Sequence, residues 1–193
     1  MNTEFLLAEL NRRLANMIKT GRIHSVDLTQ SLPKVRVKIG ELTTGWLPFL
    51  TQRAGTDTQW WPIELEEQVL VVSPSGDLAQ GIVIGSLFQN QFPPPSLSES
   101  AVRTEYSDGA VIEYDKESHH LQVILPAGGR LEVVADGGVS IVGDVSVEGN
   151  ITASGDVTDA TRSMQADREI YNNHNHPGVT TGGGSTAPTT NTQ

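Results

Sequence analysis

The sequence predicts a mainly β protein with a single helix at its N-terminus, and three observations carry that reading. Apolar residues recur at helical spacing only between residues 3 and 20. Short alternating runs, bounded by Gly, Pro, Asp and Ser, fill residues 22 to 135. A six-residue repeat opening on Gly then takes over. Composition agrees: 37% of the 193 residues are apolar and 5% aromatic, with 19 Gly and 10 Pro, which suits many strands and turns better than one deep globular core.

Residues 1–21 form the N-terminal helical region. Leu7, Leu10, Leu14 and Met17 follow a 3-4-3 spacing, and Leu6 and Ile18 widen the stripe, which predicts a helix from Thr3 to Thr20. Thr3 is its expected N-cap, Glu4 lies in the first turn, and Lys19 with Gly21 marks the exit. Such a stripe packs either on its own domain or against other helices.

Residues 22–89 carry strand signals throughout. Ile23–Leu28 and Lys34–Ile39 flank a turn-rich stretch at 29–33, and Gln68–Ser73 and Ala79–Phe88 flank Pro74-Ser75-Gly76-Asp77. Roughly five strands with little helix point to a small barrel, of which the OB-fold is one form. Trp46, Phe49, Trp60 and Trp61 cluster here, and Pro48 and Pro62 confine them to loops or strand edges. Exposed aromatics on OB-folds often stack single-stranded bases. However, the region has no basic stripe and the chain carries a net charge of -10, so it lacks the cations that displace counterions from phosphate. Nucleic acid is therefore not an expected partner, and the aromatics are expected in the barrel core or at a protein–protein interface. Residues 90–100 contain Phe92-Pro93-Pro94-Pro95-Ser96, a stiff linker with no ladder donors.

Residues 101–161 begin with a hairpin, Val102–Tyr106 and Ala110–Tyr114, around Asp108-Gly109. His119–Leu125 and Arg130–Ala135 follow as further extended runs. Then Gly137-Gly138-Val139-Ser140, Gly143-Asp144-Val145-Ser146, Gly149-Asn150-Ile151-Thr152 and Gly155-Asp156-Val157-Thr158 repeat one pattern at a period of six. The period predicts a β-solenoid, with Gly-Asp or Gly-Asn corners and inward β-branched residues. Four hexads are too few to bury a core in one chain, so several copies must wind together, each supplying one wall. A flat meander of hairpins is the alternative, but it has no need of a strict hexad register.

Residues 162–193 form the end of this array and a polar C-terminal tail. Ser163–Tyr171 reads equally as a short helix or an extended strap, and the chain after His176-Pro177 is rich in Gly, Ser and Thr. His174 and His176 are the strongest chemical signal. On an extended strand, positions i and i+2 share a face, so two imidazoles can approach one metal. Three chains around an axis turn this pair into six imidazoles, an octahedral nitrogen site that suits Fe(II), Co(II) or Ni(II) better than tetrahedral Zn(II). Asn172, Asn173 and Asn175 are placed to orient those ligands.

The competing reading is a metal enzyme of the cupin kind. It needs a further acid and histidine on later strands, and the residues after His176 include no Asp, Glu or His. His24, His119 and His120 fall in separate segments, and six histidines leave no open position for substrate. No catalytic residue is therefore assigned, and the metal is read as structural. There is no cysteine, hence no disulfide or thiolate site. Neither a transmembrane run nor a signal peptide is expected, which points to synthesis in a cytosol.

Taken together, the residues resemble the baseplate assembly protein V family, the central tail spikes of contractile-tailed phages and R-type pyocins. The likeness rests on Gly45-Trp46-Leu47-Pro48, Arg53-Ala54-Gly55, Trp60-Trp61-Pro62, Glu67-Gln68-Val69-Leu70 and Ser73-Pro74-Ser75-Gly76-Asp77-Leu78. It continues in Asp108-Gly109-Ala110-Val111-Ile112-Glu113-Tyr114, Gly155-Asp156-Val157-Thr158-Asp159, Arg162-Ser163-Met164-Gln165, Tyr171-Asn172 and His174-Asn175-His176-Pro177. One departure is Glu66, where the family usually has Gly. The resemblance implies a homotrimer with an OB-fold, a central intertwined β-helix and a pointed apex at which His174 and His176 of three chains bind one iron ion. It also implies structural calcium and chloride ions on the axis, with Asp156 and Asp159 as candidates near them. The implied role is to cap the tail tube, dock to tail-tube or hub baseplate proteins and pierce the target-cell outer membrane when the tail contracts. The implied location is the baseplate tip of a phage or pyocin particle assembled in the host cytoplasm. The alternative function is an adhesin-like, receptor-binding trimeric fibre.

Overall fold

A computed structural model describes residues 3–173 together with Gly178, Gly182 and Gly183. The chain divides into two units, 1–132 and 133–193. In the first, helix α1 spans Thr3–Asn16 and runs almost directly into strand β1, Ile18–Asp27. The helix is thus shorter than its apolar spacing predicts. Ile18 is claimed by the sheet, paired with Val72, and Met17 O accepts the Ser73 N–H at 2.8 Å. Cross-strand partners outweigh the helical spacing there, as expected for a β-branched residue. Gly21 is not a helix exit either. It lies inside β1, where an added Cβ would sit 2.6 Å from Lys38 O, so it permits close approach of two backbones.

β2 (Lys34–Ile39), β3 (Leu42–Thr43), β4 (Gln68–Val72) and β5 (Ile82–Leu87) complete an antiparallel sheet in the order β3-β2-β1-β4-β5. The segment after β3 closes it. Leu47 and Val35 exchange backbone hydrogen bonds of 2.8 and 2.9 Å, and two residues later Phe49 bridges Val83, whose N–H reaches Pro48 O at 3.0 Å and whose O accepts from Leu50 N at 2.8 Å. One short segment therefore joins β2 to β5, the two sides of the sheet, into a barrel. Register shifts in β1 (Ile23/Ser25) and between β4 and β5 (Leu70/Val71) supply the bends that closure needs.

The core is a single layer of inward residues: Ile23, Val35, Val37, Leu47, Val69, Val71 and Val83. Val35/Val37 and Val69/Val71 alternate with outward residues, the period-2 pattern of a half-buried strand. Thr44 is buried beside them and is satisfied, accepting from Val37 N at 3.0 Å and donating to Gly45 O at 2.8 Å.

Beyond residues 88–100, which hold the proline run and no regular element, comes a three-stranded antiparallel meander: β6 (Ala101–Glu105), β7 (Val111–Asp115) and β8 (His120–Ile124). The β6–β7 turn is built on Asp108-Gly109. Gly109 takes φ +89°, its N–H reaches Tyr106 O at 2.9 Å, and Asp108 Oδ1 accepts from Ala110 N at 3.0 Å. Asp115 organises the next turn by accepting from Glu117 N and Ser118 N.

Among the described residues of the second unit, the regular element is helix α2, Met164–Asn173, which settles the helix-or-strap alternative for that segment. Arg130–Ala135 and the four hexads form no strand; an isolated bridge from Thr158 of the fourth hexad to Ser163 leads into α2. The single chain therefore does not form the β-helix. No helix among the described residues is long and apolar enough to cross a membrane.

Candidate assembly and docking surfaces

The meander has two unlike faces. Val102, Tyr114 and Leu121 lie opposite one another across the three strands, as do Thr104, Ile112 and Val123, so these six share one face. The opposite face carries Arg103, which is held at 2.7 Å from Glu105 and at 2.9 Å from Glu113. Those two carboxylates raise the Arg103 pKa, chiefly through the Glu113 hydrogen bond. The charges of the second face are paired among themselves, and beside them that face carries Val111, which is buried, and Ile124, both in register with Glu105. The first face lies open, with Val102 and Leu121 each 65% exposed.

The hexads show the same imbalance more strongly. Val139, Ile141, Val145 and Ile151 are all exposed, and Val142 is 99% exposed. A run of β-branched residues left in water forgoes roughly 1.5–3 kcal/mol per side chain relative to burial. Gly143 and Gly149 take φ near +130° at the repeated corners, a region only glycine enters freely.

The barrel carries a third surface, a groove of about 680 Å³ bordered by Trp46, Phe49, Trp60 and Trp61, with Lys34 and Arg53 at its edges. Phe49 packs partly against the core, whereas the three tryptophans are exposed. The barrel-core reading thus fails for the tryptophans. Arg36 lies over the Trp46 ring at 5.9 Å, and Trp60 is tilted against Phe49 at 6.4 Å.

Asp156 and Asp159 are engaged in building the entry to α2. Asp156 Oδ1 accepts from Val157 N at 2.9 Å and Gln165 N at 3.3 Å, and the Ser163 hydroxyl is the largest cause of its lowered pKa. Ser163 Oγ in turn accepts from Ala166 N at 3.1 Å, a helix N-cap. Asp159 accepts from Thr161 N and Arg162 N, which lower its pKa. N–H donors therefore already fill the space before one oxygen of each carboxylate.

The histidines do not converge. His24 is exposed on β1, His119 sits in a turn at φ +56°, and His120 begins β8. Among the described residues, no three His, Asp or Glu side chains are gathered as a metal site. His174 and His176 lie outside the described residues.

Residues 19–88 match the family of the type VI secretion system/phage-baseplate injector OB domain, and these bounds span β1 through β5. Over 123 residues the chain is 41% identical to the spike protein of Escherichia phage P2. The chain is thus similar to a phage baseplate spike. Both matches are to components of injection machines, an injector OB domain and a spike. The matched region covers 64% of this chain and 57% of the P2 spike, so the chain spans little more than half of that relative.

The structure also contains an arrangement that residue patterns alone had not marked. The ordering role of Asp156 at α2 was hidden because its partner Gln165 is nine residues away. The signal available was Ser163 followed at short range by a helix-forming run, which is an N-cap pattern.

Proposed function

We propose that the chain is the structural central spike of a phage-type baseplate, assembled as a homotrimer in which the meander and hexads of three copies wind into one β-helix. The observation that carries this reading is the exposed hexad array: a strict repeat of β-branched residues that one chain leaves in solvent. Three copies around an axis convert those residues into a shared core without adding any sequence. The barrel end docks to tail-tube or hub baseplate proteins, and the narrow end meets the target-cell outer membrane when the tail contracts. In this reading His174 and His176 of three chains hold one axial iron ion, a structural ligand set that keeps the apex from fraying.

Mass and metal content of the purified chain test this directly. A trimer carrying one iron per three chains is the expected result, and a monomer at all concentrations overturns the spike reading. Substituting both His174 and His176 with Ala is expected to abolish iron uptake and lower the thermal stability of the apex while the barrel still folds. Unchanged iron content in that variant removes the metal assignment and leaves the trimer standing. Saturable binding to surface glycans would instead favour a receptor-binding fibre.

A further inference from the structure

Helix α1 has no buried residue. At about 100° per residue, Leu6, Leu7, Leu10 and Leu14 fall on one side of it, and Arg12 falls opposite. All four leucines are exposed, Leu14 at 65%. The polar side is closed on itself: Glu9 binds Arg12 at 2.8 Å and Arg13 at 2.7 Å, and these two guanidinium hydrogen bonds hold its carboxyl down to about 2. The leucine stripe is thus the broadest apolar surface of the helix without cover, while a lone exposed Phe5 lies near Arg12 on the other side.

The barrel fixes the direction of the helix from its last turn. Gly76, at φ +70°, leaves no room for a Cβ because the Arg13 backbone occupies that space, and the Met17 O–Ser73 N hydrogen bond locks the join to β1. A helix of 14 residues is about 21 Å long and is marginal in water unless its face is packed. It is also too small to recruit a separate protein by itself, since stable interfaces bury roughly 800 Å² per partner. A copy of the same chain, already held nearby by a larger interface, needs no such area, because the contact forms at high effective concentration.

We propose that α1 is covered by its own copies: three helices pack their Leu7, Leu10 and Leu14 stripes into a parallel bundle on the axis of the assembly. This rests on the trimeric reading above. Threefold symmetry makes the helices parallel, the 3-4 spacing of the leucines matches a short coiled-coil seam, and the Glu9–Arg12–Arg13 cluster keeps charge off that seam.

The chain has no cysteine, so one introduced thiol reports one position. Leu10→Cys places it on the seam and Arg12→Cys on the opposite face. Each full-length variant is oxidised mildly, and covalent dimers are counted alongside the native mass. The expected result is a trimer in which Leu10→Cys forms covalent dimers at least about tenfold faster than Arg12→Cys, because only the seam thiols react within one assembly. A trimer in which the two variants cross-link equally, or neither does, overturns the bundle and leaves the trimeric spike intact. A monomer that cross-links at neither position overturns both. Leu10→Glu with Leu14→Glu provides an independent arm, since both sites are exposed and the barrel is expected to fold. Its trimer should melt at lower temperature than the parent, and an unchanged melt counts against the bundle.

Discussion

Trp61 stacks on Tyr106 with ring centroids 6.1 Å apart and planes only 7° from parallel. Trp61 belongs to a barrel loop, and Tyr106 follows β6 at the hairpin turn of the meander. The pair therefore ties the second sheet to the barrel across a linker whose prolines supply few hydrogen bonds of their own. Tyr106→Ala should loosen residues 101–115 by about 0.5–1.5 kcal/mol beyond the lost area, the usual value of an aromatic pair. Hydrogen exchange reads this locally: faster exchange confined to β6 and β7 is expected, and unchanged protection there would show that the stack holds nothing in place.

Glu66 adopts φ +66°, a left-handed conformation that costs a non-glycine residue roughly 1–2 kcal/mol. The position is held from both sides, since Glu66 N–H donates to Ile23 O at 2.9 Å and Glu66 O accepts from Gln89 Nε2 at 2.8 Å. Its carboxylate is 3.8 Å from Arg22 with both side chains more than half exposed, a pair worth little. Glu66→Gly should therefore stabilise the barrel by about 0.5–1 kcal/mol after the extra chain entropy of glycine is subtracted. Chemical denaturation measures the gain, and a loss would mean that the Arg22 contact outweighs the backbone strain.

The expectation, from the resemblance, of a glycine at position 66 finds its physical meaning in the positive φ of Glu66. The barrel was legible in part, because Val35/Val37 and Val69/Val71 alternate cleanly and the β1–β2 and β4–β5 pairs each lie across a marked turn. The join at residues 16–21 was not. Ile18 extends the helical spacing of Leu7, Leu10 and Leu14, yet it pairs with Val72, fifty-four positions away, and no local pattern reports such a partner. The sheet closure through Leu47 and Pro48 was hidden for the same reason. The hexads carry a repeat that predicts a shared core, and in one chain their valines and isoleucines are exposed.

Gly76 controls how α1 meets the barrel. Gly76→Ala adds a Cβ into backbone of Arg13, which cannot yield as a flexible side-chain tip would, and it also strains φ +70°. The expected cost is about 1–3 kcal/mol, from strain and displacement together. Circular dichroism should show α1 helicity falling while Val69, Val71 and the rest of the barrel core keep their exchange protection. Retained helicity with full stability would show that the helix does not depend on this close approach.

Acid should act on α2 through Asp156. The Ser163 hydroxyl, then the Gln165 and Val157 N–H groups, hold its pKa below the ordinary value of 3.8. A carboxyl depressed in the folded state contributes stability that is fully present above its unfolded pKa, and loses it as pH falls through the lower folded value. The entry to α2 should therefore be insensitive to pH between 5 and 8 and weaken only below about 4. Asp156→Asn keeps the shape and an acceptor oxygen but removes the charge that favours a helix N-terminus. It should loosen α2 at neutral pH and flatten the acid response. Exchange protection of residues 165–170, followed from pH 7 to pH 3 in both proteins, decides the matter: parallel acid profiles would mean that another group controls the turn.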